Sequence, residues 1–536
     1  MFEAHHASAH LRKTMASLLT LAISLGPSVT PAFAANKQQV HSAATSTPIQ
    51  HLVVIFQENV SFDHYFATYP NATNPKGEPK FKGSLNTPTV NGLNTPLLTA
   101  NPNLNPANGG GASNPFRLDR SQAVTSDQDH NYLAEQQAFN MGLLDSFPLY
   151  TGVGGTNGNL VMGYYDGNTV TGLWNYAQFF AMNDNSYSTT FGPSTPGVIN
   201  LTSGQTNGIT QIINGTGFEV PGGPDGSLTL IGDADPYGDV CSNPSRNQVT
   251  MGTQNIGDLL NAAGVTWGSF MGGFNLSTVN PNGTTGCSRS SAGLAGTTGD
   301  YIPHHSFFNY YASTANYQHT RPAGLSEIGN SGPANHQYDL QDFFAAAGAG
   351  NLPAVSFLKA SAYQDGHAGY SDPLDEQTFV VNTINFLEAL PTWNSTAVIV
   401  LYDDSDGWYD HQMGPIVNTS TGPQDALTGP GACGNASTSL PGLNSTANPH
   451  ALGRCGYGMR QPFLVVSPWA KQNFVDHSLT DLTSVMRFIE DNWLGGQRIG
   501  NGSFDGIAGS INGMFDFRSI RKNGTLFLNA STGEKQ

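Results

Sequence analysis

The strongest constraint in this sequence is the run Thr396 to Tyr402 (TAVIVLY), apolar almost throughout and rich in β-branched side chains. Such a run reads as a strand buried on both faces, and strands of that kind belong to mostly parallel sheets covered by helices. Residues 51–56 (HLVVIF) form a second run of the same type. The intervening sequence alternates between the two periods. Residues 256–263 read as a helix and 265–270 as a strand; 340–347 as a helix and 354–358 as a strand; 376–390 as the amphipathic helix that feeds TAVIVLY. A strand at 463–466 and a helix at 483–493, with Thr480 or Asp481 as its cap, close the series. Helices are also expected at 127–143 and 172–183, and a short strand at 228–231. The alternation predicts an α/β fold, a mostly parallel sheet flanked by helices. Residues 70–115 and 412–458, rich in Pro, Asn and Gly, read as long loop insertions.

The 536 residues suit one large domain over 51–536, with 35–50 a flexible lead-in and 1–34 a secretory signal. Arg12 and Lys13 start that signal, an apolar stretch follows, and Ala32-Phe33-Ala34 ends it as a cleavage site. No later segment is apolar enough to span a bilayer, so a secreted protein, periplasmic or extracellular, is expected. Secretion permits disulfides, and four cysteines allow three pairings. Sequence order favours Cys241–Cys287 and Cys433–Cys455. The net charge of −17 leaves no basic face for nucleic acid. An acidic chain can still take a phosphate ester if a local cation, most simply one divalent metal ion, sits at the site.

Two strands end in candidate ligands: Glu58-Asn59 follows HLVVIF, and Asp403-Asp404 follows TAVIVLY. Ligands in α/β sheets bind beyond the carboxyl ends of strands. Three carboxylates and an amide oxygen suit a hard or borderline divalent ion whose identity the sequence leaves open. Polar strand ends are common in turns, so either pair alone says little. Ser194 lies in a Gly-Pro-Ser-Thr-Pro loop whose prolines restrain it, a candidate nucleophile. Among fifteen histidines, His130 in Asp-Gln-Asp-His, His304 and His305 after Pro303, and His367 a few residues past a strand are candidates, since an imidazole can hold a phosphoryl oxygen or protonate an alkoxide. A hydrogen-bonded loop histidine is the blander reading of each.

Five segments in order carry a resemblance: IFQENVSFDHYF (55–66), FGPSTP (191–196), PHHSFFNYY (303–311), YDDSDGWYDH (402–411) and SPWAKQNFVDHSLTDLTSVMRFIEDNW (467–493). The chain resembles the bacterial phosphoesterase family of phosphatidylcholine-type phospholipases C and respiratory-burst-inhibiting acid phosphatases, in the alkaline phosphatase superfamily. The resemblance implies an alkaline-phosphatase-like core and one metal ion held by Glu58, Asn59, Asp403, Asp404 and Ser194. It makes Ser194 the nucleophile and places His130, His304, His305 and His367 around the phosphate. His411 and His477 fall in family motifs without a direct role. Many relatives continue from the nucleophile with Asp-Pro-Asn-Arg, where this chain has Thr195-Pro196-Gly197-Val198. Serine rather than threonine at 194, and Asp-Asp rather than Asp-Glu at 403–404, lean toward the acid phosphatase branch. Phospholipase C action and a catalytically dead binding protein are the alternatives. The substrate is a phosphate ester, with phospholipid one option, and the oligomeric state is open.

Overall fold

Runs of β-branched and aromatic residues build the centre of the molecule. In a computed structural model, which describes residues 44–215, 218–221, 227–420, 422–425, 433, 452–521 and 524–536, eight strands form one sheet. In chain order they are β1 (His51–Gln57), β2 (Ala181–Asn183), β3 (Trp267–Met271), β4 (Gln337–Asp339), β5 (Val355–Lys359), β6 (Thr396–Tyr402), β7 (Phe463–Val466) and β8 (Phe474–Asp476). The spatial order is β4-β3-β5-β1-β6-β7-β2-β8. Pairs from β4 to β6 are parallel, β7 runs against both neighbours, and β2 and β8 are parallel again. All seven residues of β6 are buried, as are the last six of β1. The α/β architecture expected from the sequence is the one observed.

Seven helices matter for the site: α1 (Tyr132–Phe139), α2 (Thr171–Phe179), α3 (Ser194–Ser203), α4 (Ile256–Ala263), α5 (Leu340–Gly348), α6 (Pro373–Glu388) and α7 (Thr483–Trp493). α5 joins β4 to β5 and α6 joins β5 to β6, the crossover connection that parallel strands require. Capping fixes both starts. Asp339 accepts from Gln341 N, and Asp372 accepts from Leu374 N just ahead of Pro373, where a missing N–H costs nothing.

Several expectations are corrected. The helix expected over 127–143 is confined to α1: residues 127–131 have no regular secondary structure, which leaves His130 in a loop, and Asn140 stops the helix in a left-handed conformation. The helix expected to reach 183 ends at Phe179, and Ala181–Asn183 is instead strand β2. Residues 228–231 do contain a strand, Leu228–Leu230, but it belongs to a separate five-stranded sheet over residues 207–251. The cap of α7 is Leu482; Asp481 still accepts from Thr483 N at 3.2 Å. The 70–115 insertion buries Asn101 and Asn103 rather than lying wholly at the surface.

The described residues from Ala44 onward pack as one compact unit. Residues 44–50 of the expected lead-in are tied down: Ser46 N donates to Asn492 O at 2.9 Å, and Ile49 is fully buried. The expected signal, 1–34, lies outside the described residues. Both disulfides favoured by sequence order are present, Cys241–Cys287 and Cys433–Cys455. Among the described residues no helix is long and apolar enough to cross a membrane.

Candidate active site

β1 and β6 are neighbours in full parallel register, from His51 opposite Thr396 to Gln57 opposite Tyr402. Their carboxyl ends therefore deliver Glu58-Asn59 and Asp403-Asp404 to one place. Asn59 turns into a left-handed conformation (φ 62°), which asparagine tolerates better than most residues. That turn aims its N–H at Asp403 Oδ1, 2.9 Å away. Val60 N then reaches Asp404 O at 3.0 Å, and Glu58 N reaches Asp365 O at 2.9 Å. The four residues are at most 1% exposed.

Ser194 was expected in a loop, yet it is the first residue of α3. Pro196 sits in that helix's first turn, where proline is tolerated. Two glycines permit the approach. Gly192 has a φ of 113°, and a Cβ on Gly197 would stand 2.6 Å from Asp403 O. The first turn of α3 thus rides directly on the end of β6. Ser194 Oγ donates to Glu58 Oε2 (3.0 Å) and Asp404 Oδ2 (3.2 Å), so sequence positions 58, 194 and 404 converge on one hydroxyl. The amino end of a ten-residue helix adds a partial positive charge, a setting that favours an anion, although Thr195 N and Gly197 N are already bonded and Pro196 has no N–H.

The donor set fits a divalent cation. Asn59 Oδ1 and Asp403 Oδ2 are buried oxygens with no hydrogen-bond partner, beside two carboxylates already turned onto Ser194. Buried orphan oxygens are costly unless something positive meets them. Burial first, and the Asp403 charge second, push Asp404 well above the ordinary carboxylate range, a cost that a divalent ion would relieve. A second group able to hold a metal lies alongside: Asp127, His130 and His367, whose ligand atoms are within 4.8 Å of one another.

The four histidines surround this centre in different electrostatic states. His130 donates from Nδ1 to Gln128 O at 2.9 Å and lies 3.3 Å from Asp406 Oδ1; its Nε2 is 3.5 Å from Asn59 Nδ2. Burial opposes its charge, but Asp404 and Asp406 outweigh that and hold its pKa well above the usual value. His305 Nδ1 is 3.3 Å from Glu58 Oε1, and burial, then His304 and His367, drive it well below the usual value. Burial pushes His367 down to about 4. His304 Nδ1 and Nε2 lie 3.6 Å from Asp235 Oδ1 and 3.9 Å from Asp233 Oδ2. His411 and His477 are elsewhere, on Asp63 and Asp184.

A profile of the Phosphoesterase family matches residues 49–494. The chain belongs to the phosphoesterase family. Similar proteins include the non-hemolytic phospholipase C of Pseudomonas aeruginosa, 25% identical over 457 residues, covering 83% of this chain and 54% of that protein. Phospholipase C B of Mycobacterium tuberculosis is 24% identical over 501 residues, 90% of this chain and 79% of that protein. The chain thus spans about half the length of the first and most of the second. Among solved structures, a protein in the alkaline phosphatase superfamily from Vibrio parahaemolyticus overlays with a TM-score of 0.26 at 12% identity, covering 74% of this chain and 75% of that one.

Within this phosphoesterase the structure also places residues that sequence reasoning passed over. Lys359, the last residue of β5, is 1% exposed and forms an ion pair with Glu58 Oε1. Burial lowers its pKa, against the pull of Asp403, Asp365 and Asp404. Its cation orients Glu58 so that the other oxygen faces Ser194. A lone lysine closing an apolar strand (VSFLK) beside the other two strand ends was the signal available. Asp406 bridges Asn59 and His130. Asp233 accepts from Thr195 N and Oγ1, both at 3.0 Å. Thr195, which stands where many relatives have Asp, is therefore still tied to a carboxylate.

Proposed function

We propose that this chain is a secreted hydrolase of phosphoric esters that works through Ser194 and one divalent metal ion, with a lean toward phosphomonoesters. The observation that carries the reading is the convergence of Glu58 and Asp404 on Ser194 Oγ beside two unpartnered buried oxygens. The signal read in residues 1–34 and the two disulfides support export.

A divalent ion held by Glu58, Asn59, Asp403, Asp404 and Ser194 Oγ would lower the serine pKa and polarise the phosphoryl group. Ser194 Oγ passes its proton to a neighbouring carboxylate and bonds to phosphorus while the bond to the substrate alcohol breaks. Lys359 keeps Glu58 turned for that step. The amino end of α3 faces the charge on phosphorus. Positive His130 and neutral His305 and His367 offer a charge and hydrogen bonds to the phosphoryl oxygens and the departing alkoxide. One histidine gives a proton to the departing alkoxide and takes one back from the water that follows. Water then bonds to phosphorus in the phosphoserine, and Oγ regains its proton as phosphate departs.

The second reading is phospholipase C action on phosphatidylcholine-type diesters, favoured by the names of the Pseudomonas and Mycobacterium relatives. The dead-enzyme alternative would need a missing ligand, and every expected residue is in place. Side-by-side hydrolysis of p-nitrophenyl phosphate and p-nitrophenylphosphorylcholine, with and without a chelator, separates the three. Chelator-sensitive monoester turnover is expected. Preference for the choline diester would move the enzyme to phospholipase C, and silence on both with metal restored would leave a binding protein.

A further inference from the structure

A cavity of about 410 Å³ opens beside the nucleophile. Its described walls include Asn131, Tyr132, Phe218, Asp233, Asn247 and Gln424. None of the candidate catalytic residues lines it, but its wall is tied to the segments that carry them at three points. Asp233 holds the backbone and hydroxyl of Thr195, the neighbour of Ser194. Asn131 follows His130. Gly192, two residues ahead of Ser194, lies against Ile231 and Tyr132 of the cavity wall.

Resting on the phosphoesterase reading above, we infer that this cavity receives the alcohol part of the substrate and selects a small, hydroxylated, non-anionic group. The size falls within the ~300–1,000 Å³ usual for small-molecule sites. Asp233 is the charged residue among the described walls, and it is negative, so an alcohol bearing a second phosphate meets like charge inside the cavity. The second oxygen of Asp233 is 3.9 Å from His304 Nε2, at the junction of cavity and centre. Asn247 and Gln424, both partly exposed, present side-chain amides that bond to no other described residue; a hydroxyl can replace the water on them, whereas an acyl chain would strip it without replacement. Phe218 and the Tyr132 ring supply an apolar floor of the kind that sugar and polyol carbons pack upon. The Tyr132 hydroxyl itself is engaged by Asp425 at 2.8 Å and is not offered to the ligand.

The test is a comparison of kcat/KM for glucose 6-phosphate, fructose 1,6-bisphosphate, dihexanoylphosphatidylcholine and p-nitrophenyl phosphate, with the full chain and with Asn247→Leu and Gln424→Leu. Glucose 6-phosphate is expected at least tenfold above both the bisphosphate and the lipid. Each variant should lower the ratio of glucose 6-phosphate to p-nitrophenyl phosphate about threefold or more, chiefly through KM, as loss of one partly exposed hydrogen bond predicts. Normal p-nitrophenyl phosphate turnover with the bisphosphate or lipid preferred, or with ratios unmoved in both variants, overturns the inference and leaves the phosphoesterase reading intact. No turnover of any ester overturns both.

Discussion

Two acidic clusters grow from the same pair of motifs, and their fates differ. The segment after β1 supplies Glu58 and Asn59 and then Asp63; the segment after β6 supplies Asp403 and Asp404 and then Asp410 and His411. The rear cluster is closed by Arg460. Its guanidinium pairs Asp63 and Asp410 at 3.0 Å each, gives its remaining donor to Asn91 and Asp184 carbonyls, and lies over the Phe62 ring. His411 completes it, donating to Asp63 Oδ2 at 2.6 Å. The front cluster has Lys359 for Glu58 alone, and leaves Asn59 Oδ1 and Asp403 Oδ2 unmet. Similar carboxylates, equally buried, form a structural clamp where an arginine meets them all and a candidate binding site where Lys359 and His130 leave two oxygens unmet. What the neighbours leave unsatisfied marks the difference.

The comparison breaks first on activity. Ser194→Ala and Asp404→Asn should each lower kcat/KM by at least ~10³-fold, in keeping with residues that act as a catalytic unit. Retention of more than a tenth of the activity in a folded Ser194→Ala protein would remove the serine from the mechanism. Arg460→Met should do the reverse. Stranding Asp63 and Asp410 inside the protein should cost about 3–5 kcal/mol in urea unfolding; a loss below about 1 kcal/mol would show that the rear cluster is not a clamp.

Metal separates the two regions more gently. Divalent ion added to chelated protein at about a hundred times its Kd should raise stability by about 3 kcal/mol. Asp403→Asn should abolish that gain, whereas Arg460→Met should keep it on its lower baseline. A gain that survives Asp403→Asn would place the ion elsewhere, with Asp127, His130 and His367 the next group to mutate.

The smallest expected effect is a pH dependence of the clamp. Burial opposes the charge of His411, but Asp63 more than compensates and its pKa is raised. The folded state therefore holds a proton that the unfolded state releases first. The contribution of His411 is complete below its unfolded pKa near ~6.5 and fades as pH climbs through the higher folded value. Stability of His411→Gln should fall less steeply than wild type on the alkaline side of neutrality; parallel curves would show that the imidazole is not coupled to Asp63.

The sheet was readable because β1 and β6 are unbroken apolar runs, and two runs of that kind leave little choice but adjacent central strands. The four metal candidates followed from where those runs stop. The helical setting of Ser194 was hidden by its prolines: Gly-Pro-Ser-Thr-Pro has the composition of a turn, and Pro196 fits the first turn of a helix as readily as a loop. Lys359, Asp233 and Asp406 were hidden for another reason. Each acts on a residue distant in the chain, and nothing in local periodicity announces a partner. The division of the two motifs into a front with unmet oxygens and a clamped rear likewise depends on Arg460, which lies outside both.

The hydrogen bond from Asn59 N to Asp403 spans 344 positions of the chain. Closing a loop of that size carries an entropic cost near the upper end for a domain, and the loop must close before the last ligand arrives. The candidate centre is therefore complete only when the two ends of that loop have met. A truncated or half-folded chain that lacks β6 carries the nucleophile but no place to bring it to reactivity. Recovery of turnover during refolding then serves as a clock for completion of the whole sheet, and an ion seated there would act as a cross-link between the first strand and the sixth.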